Sequence, residues 1–272
     1  MPSINEISVQ QLSRLIGLPD APHLVDVRPA ADNCAGYRLL PAARHLDARE
    51  IQNWGPSYRG QHVIIYCRDG GARSRGAAAW LRDAGSNSET LAGGLAAWVE
   101  AKQPLLRPDR LPAYDQSGST VWVTRTRPKI VRIACPWLIR RFVDPKARFL
   151  FVPAADVPAV AEQLNATPFD SGHGLWNDRG ELCTFDVMVK EFGLSTPPLE
   201  RLATMVRAAD TARLDLSPEA PGLLAASLGL SRMFDDDLEQ LNAGLLLYDA
   251  FYRWCRDATK ETHNWPTNKA KP

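Results

Sequence analysis

The chain has 272 residues, 45% of them hydrophobic and 23% charged, the balance of a globular protein long enough for two domains with proper cores. A formal charge of +1 makes no case for a nucleic-acid partner, and no run approaches the roughly 18 consecutive apolar residues of a membrane span. Five scattered cysteines without a repeated spacing read as reduced thiols, and Met1–Glu6 lacks a basic or apolar leader, so the expected setting is cytoplasmic, with no membrane partner.

In chain order, Ile7–Val9 starts a strand, Gln10–Ile16 forms a short helix and His23–Val27 a second strand. The most informative stretch comes next. His62–Tyr66 is short, apolar and rich in β-branched residues, which predicts a buried strand, and Gly76–Arg82 predicts a helix. Between them runs Cys67-Arg68-Asp69-Gly70-Gly71-Ala72-Arg73-Ser74, so Cys67 falls where a strand gives way to a helix N-terminus. Glycines let such a loop curl until its N–H groups point inward, and the helix adds its positive end. That cradle favours a thiolate, a persulfide or a bound oxyanion, with Arg73 as a bidentate clamp and Arg68 as a second cation. Cys34, in Ala31–Gly36, has no basic or glycine-rich setting and reads as a packing residue. Ser88–Leu91 predicts a further strand and Leu95–Ala101 a closing helix.

Asp26-Val27-Arg28, the Cys67 loop and Leu91-Ala92-Gly93-Gly94-Leu95-Ala96-Ala97-Trp98 together resemble the rhodanese homology domain in order and approximate spacing over residues 1–105. The resemblance implies a small α/β domain with a central parallel sheet and Cys67 as the persulfide carrier. It leaves Asp69, Gly70, Gly71, Ala72 and Ser74 as loop support, with Asp26 and Arg28 as braces. Two departures stand out. Tyr37–Ala43 lacks the Gly-His pair usual at that place, and the loop is one residue longer than the sulfurtransferase loop. Its Cys-x5-Arg form matches rhodanese-related phosphatases and arsenate reductases, whose wider cradle holds a tetrahedral oxyanion.

Gln103–Pro112 carries three prolines in ten residues and is followed by Asp115-Gln116-Ser117-Gly118-Ser119, so residues 106–119 read as a linker. Beyond it, Pro136 suits the first turn of a helix and leaves Cys135 near its N-cap, while Ala147–Val152 reads as a strand. Thr196–Glu200 opens a helix to about Asp210, and Ser217-Pro218-Glu219 repeats that signature. From about Asp235 to Ala258 the spacing predicts a last helix packing Leu238, Leu241, Leu245, Tyr248, Tyr252 and Cys255 along one side.

Thr124–Lys129, Arg132–Phe142, Cys183-Thr184-Phe185-Asp186 and Tyr248-Asp249-Ala250 resemble the C-terminal domain of ChrB-type chromate-resistance proteins over residues 120–265, leaving 266–272 as a tail. That resemblance implies a role in the chromate response. Six basic residues and no acidic one lie between Arg125 and Arg141, so Arg125, Arg127, Arg132, Arg140 and Arg141, with Cys135, are the candidates for holding an oxyanion. A solvated basic face is the plainer reading of the same run. His173, Cys183 and Asp186, with Asp170 and His263 nearby in type, are weak candidates for a metal, since spacings of three, ten and three form no recognised closed site.

The expectation is therefore a rhodanese-like α/β domain with a central parallel sheet, followed by a mainly helical α+β domain. The function expected is a sulfurtransferase carrying a Cys67 persulfide, taking sulfur from a small donor to a thiol acceptor without a cofactor and linked to chromate resistance. An oxyanion reductase or phosphatase using the long loop, and a non-catalytic chromate sensor, are the alternatives. The sequence leaves the oligomeric state open.

Overall fold

The computed structural model of the chain describes residues 5–29, 36–172 and 174–261. Cys34, His173 and His263 fall outside the described residues.

The first half holds β1 (Glu6–Ile7), α1 (Val9–Leu15), β2 (His23–Asp26), β3 (Ala43–His45), α2 (Ile51–Trp54), β4 (His62–Tyr66), α3 (Ala72–Asp83), β5 (Asn87–Leu91) and α4 (Gly94–Glu100). The strands pair in parallel in the order β1-β5-β4-β2-β3, which places β4 at the centre of the sheet. A strand buried on both faces needs a continuous apolar run, and His62–Tyr66 supplies one. Successive side chains then alternate: Ile64 and Tyr66 enter one core, and Val63, Ile65 and Cys67 enter the other, beneath α2 and α3.

Local chemistry moves several predicted boundaries. Ser8 caps α1, its Oγ accepting from the Gln11 N–H while its own N–H donates to Gln11 Oε1, so the first strand stops at Ile7. Helix α3 begins at Ala72, four residues ahead of Gly76, which puts Arg73 and Ser74 on its first turn. Strand β3 has no apolar run of its own to announce it and exists by pairing with β2.

The second half holds β6 (Val121–Arg125), α5 (Val131–Leu138), β7 (Arg148–Val152), α6 (Val157–Gln163), β8 (Thr167–Pro168), α7 (Thr184–Glu191), α8 (Pro197–Asp210), α9 (Ala220–Met233) and α10 (Asp237–Arg253). Its small sheet, ordered β7-β6-β8, is parallel throughout, and helices supply the rest of this mainly helical region. Three expectations are corrected. Pro136 lies inside α5 and Cys135 at mid-helix, because the helix starts at Val131; the chain beyond Leu138 widens into a π-helical turn, Ile139–Val143. Cys183 caps α7, since the Asp186 carboxylate accepts the Cys183 N–H at 3.1 Å, which gives these two metal candidates a structural role. Leu238 is exposed, so the buried stripe of α10 begins at Leu241.

One apolar core runs through both halves. Leu12, Ile16, Ile64, Leu91 and Trp98 from the first half are continuous with Trp137, Phe142, Leu202, Tyr248 and Tyr252 from the second. The proline-rich stretch is anchored in it. Leu106 is fully buried and exchanges backbone hydrogen bonds with Leu39, while the Arg107 N–H donates to Phe192 O at 3.0 Å. Nearby, the Ala42 N–H donates to Phe142 O at 2.7 Å. Gly17, at φ +81°, sits so close to Phe142 that a Cβ there would lie 2.3 Å from its Cζ.

A shared core predicts shared unfolding. In urea, tryptophan fluorescence and far-UV circular dichroism should report one coincident transition. Phe142→Ala should shift that whole transition by about 3–5 kcal/mol. Two separated transitions, with only the second moved by the substitution, would mean that the halves fold independently.

Candidate active site

Cys67 follows β4 directly, 5% exposed at the carboxyl end of the central strand. The loop after it is pressed onto the turn before α4. Gly70 (φ +72°) would place a Cβ 2.9 Å from Leu91 O and 3.0 Å from the Gly93 nitrogen, and a Cβ on Gly94 would lie 2.5 Å from Cys67 O. Only glycine fits either place. The contact lets the Leu95 and Ala96 N–H groups donate to Cys67 O and Arg68 O, both at 2.9 Å, which fixes the start of the loop.

Two side chains meet the sulfur. Ser74 Oγ, fully buried on the first turn of α3, is 3.2 Å from Cys67 Sγ and also donates to Gly71 O. Asp69 Oδ1 lies 3.4 Å from Sγ and accepts the Gly71 N–H at 3.0 Å. The Gly71 amide, then the Cys67 thiol and Asp69's own N–H, hold the Asp69 carboxyl below its ordinary range. Arg68 and Arg73 are exposed beside the loop, and neither makes a side-chain hydrogen bond or ion pair among the described residues. Arg73 therefore does not clamp the resting loop as a bidentate fork.

Beneath the loop, Asp26 and Arg28 form a buried bidentate pair, with Arg28 Nη2 2.6 Å from Asp26 Oδ2. Tyr37 Oη donates to the same oxygen at 2.8 Å, and Arg28 also donates to Arg38 O. With the Val27 N–H donating to Tyr66 O at 2.9 Å, this network ties the end of β2 to the residue preceding Cys67. Tyr37 thus braces the site from the stretch where the Gly-His pair is missing.

Residues 8–101 match the family described as rhodanese-like domain, and residues 122–255 match the family described as ChrB, C-terminal domain. The chain is a rhodanese-like domain followed by a ChrB C-terminal domain. A sulfurtransferase of Allochromatium vinosum is 32% identical over 108 residues, covering 39% of this chain and 98% of the relative. Protein ChrB of Cupriavidus metallidurans is 32% identical over 132 residues, which make up 48% of this chain but only 39% of that protein. Among solved structures, a rhodanese-related protein of Thermoplasma volcanium aligns at 21% identity and TM-score 0.33 over 38% of this chain and 97% of its own. A thiosulfate sulfurtransferase of Pseudomonas aeruginosa aligns at 16% and 0.34 over 77% and 49%. The rhodanese-like half belongs to the sulfurtransferase family, and the second half is similar to protein ChrB.

In the ChrB domain the arginines disperse. Arg125 and Arg132 both reach Asp170 Oδ2, at 3.1 and 3.3 Å, and Arg132 also donates to Thr126 O. Arg127 donates to Ser231 O and, through its backbone, to Asp237. Arg140 lies over the Phe149 ring and donates to Ala147 O. Arg141 forms a bidentate pair with Asp249, at 2.8 Å on both oxygens, and Trp137 Nε1 donates to the same carboxylate. Each guanidinium is already met by protein oxygens, and no common fork for an oxyanion forms. Cys135 is fully enclosed, and burial pushes its thiol well up, the reverse of an electropositive reactive cysteine.

Cys183 and Asp186 do come together, at 3.1 Å, but as the cap of α7, with Asp186 also paired to Arg207 at 2.6 Å. Among the described residues no three histidine, cysteine or acidic side chains are placed to hold a metal. Sequence reasoning missed Asp178 and Asp210, which fold joins to Asp170. Asp178 accepts from both the N–H and the Oγ1 of Thr184 at 2.8 Å, and Asp210 accepts the Val131 N–H that opens α5. Burial, with the charges of Asp170 and Asp178, pushes the Asp210 carboxyl up to about 6.

A carboxyl whose folded value is raised binds its proton more tightly in the native state, so stability falls as pH rises from about 4 to about 6. Asp210→Asn removes that charge and keeps an acceptor for Val131. Denaturation midpoints should show the variant more stable than the parent above pH 6, with the gap closing near pH 4. A gap independent of pH would show that Asp210 is not the titrating group.

Proposed function

We propose that the rhodanese-like domain is a persulfide-carrying sulfurtransferase with Cys67 as its nucleophile, serving a chromate-response role through the attached ChrB domain. The observation that carries this is the placement of Cys67: a thiol at the end of the central strand, at the mouth of a glycine-bearing loop, with the α3 N-terminus and the Ser74 hydroxyl beside it. The near-complete coverage of the Allochromatium vinosum sulfurtransferase supports it. Cys67 thiolate attacks the sulfane sulfur of a small donor. A bond forms between Sγ and that sulfur as the donor's own sulfur bond breaks, and the leaving group departs with the bonding pair. The α3 N-terminus, and the Ser74 hydroxyl once its proton turns from Gly71 O to the sulfur, then stabilise the Cys67 persulfide until a thiol acceptor takes the sulfur. Exposed Arg68 and Arg73 give the mouth of the loop a positive field for the donor.

Intact-mass measurement after incubation with thiosulfate or glutathione persulfide tests the proposal directly. The parent should gain one sulfur, and Cys67→Ser should gain none while keeping its fold. Ser74→Ala should load about tenfold more slowly, the worth of one hydrogen bond to a charged group. Loading that survives in Cys67→Ser would remove the mechanism.

A further inference from the structure

Asp69 is the unexpected member of the site. A loop built to favour an anion holds one of its own. The Asp69 carboxylate takes the Gly71 N–H at 3.0 Å and receives the Cys67 thiol at 3.4 Å, so it lies over the sulfur on amides that a bound anion would use. The loop sequence makes this natural: an aspartate accepts the N–H two residues on in an Asx turn, and Gly70 and Gly71 allow the tight return. Nothing else holds the carboxylate in place. It makes no ion pair among the described residues, and its only side-chain partners are the thiol and the loop amides, so it can swing out to solvent about its own χ1.

Resting on the sulfurtransferase reading, we propose that Asp69 is the specificity gate of the Cys67 loop, discriminating against dianionic donors and selecting organic persulfides, whose sulfur end brings at most a single charge. A dianion such as thiosulfate must displace a built-in carboxylate and then tolerate its charge nearby. An organic persulfide ionises to R–S–S⁻ and reacts through its protonated form, R–S–SH, so its sulfur end needs no seat for a second charge. With the organic donor, Cys67 thiolate bonds the terminal sulfur, the R–S bond breaks, and the proton of R–S–SH ends on the departing thiol, leaving Cys67–S–S⁻ and R–SH. With thiosulfate, the same attack leaves Cys67–S–S⁻ and expels sulfite as its dianion. Atoms and charge balance in both, and neither step needs a further reductant. The difference lies in the charge brought to Asp69.

The test compares the full-length parent with Asp69→Asn and Asp69→Ala, using thiosulfate and glutathione persulfide as donors and sulfate as a non-reacting dianion. Asp69→Asn should lower the KM for thiosulfate about tenfold or more. The preference for thiosulfate over glutathione persulfide, read as the ratio of their kcat/KM values, should rise by a similar factor. Independently of turnover, sulfate should slow alkylation of Cys67 by iodoacetamide in Asp69→Asn and Asp69→Ala but not in the parent. If the parent and both variants load sulfur with an unchanged preference between donors, and sulfate protects all three alike, the gate is wrong while sulfur transfer stands. If none of them loads sulfur from either donor, the sulfurtransferase reading fails, and the alkylation arm alone decides whether Asp69 occupies the anion seat. Loss of both activities in Asp69→Asn with the fold intact would also overturn the gate, since it would make Asp69 a required part of the chemistry.

Discussion

The Cys67 site depends on one close approach. Gly70 and Gly94 let two turns meet backbone to backbone, at distances no side chain would survive. That contact does more than shape a loop. It fixes where α4 begins, and α4 carries Trp98 into the core that the two halves share. The Cys67 sulfur, the turn that confines it and the interface with the ChrB domain are therefore successive links of one packed path.

The sheet assigns the two faces of that path different work. Alternation along β4 sends Cys67 with Val63 and Ile65 toward α2 and α3, and sends Ile64 and Tyr66 toward the continuous core. The Cys67 thiol and the core shared with the second half thus lie on opposite faces of the same strand. The Asp26–Arg28 pair sits between them, where a buried ion pair is tolerated because both partners are met by further hydrogen bonds from Tyr37 and to Arg38.

Much of this was legible in the sequence, and the remainder was hidden for identifiable reasons. An apolar β-branched run, a glycine-rich loop and a helix announced the Cys67 site, because each is a local signal. The α3 start was misplaced because Ala72, Arg73 and Ser74 read equally well as loop or first turn. The fate of the arginines was out of reach. Arg141 meets Asp249, which lies 108 residues away, and nothing local reveals that a basic residue will be neutralised across such a distance. Cys135 was misjudged for a related reason: Pro136 suggested a helix start, but the helix opens five residues before that proline, at Val131. The Asx geometry of Asp69 was readable in principle, since Asp-Gly-Gly is a turn sequence, but its reach to the sulfur needed the fold.

The joint between the two halves has a consequence for how such a chain can be rearranged. Family resemblance divides it cleanly, one domain ending by residue 101 and the next starting at 122. Packing does not respect that division: Leu12, Ile16, Trp98 and Leu106 are sealed by residues from the far side. A gene fragment cut there would encode a protein with a greasy, unfinished flank. A foreign rhodanese-like domain spliced in its place would arrive with a surface suited to water and no seat for Phe142. Recombination at this joint is thus constrained by matched faces, so the pair is heritable as a unit although its parts are recognisable separately.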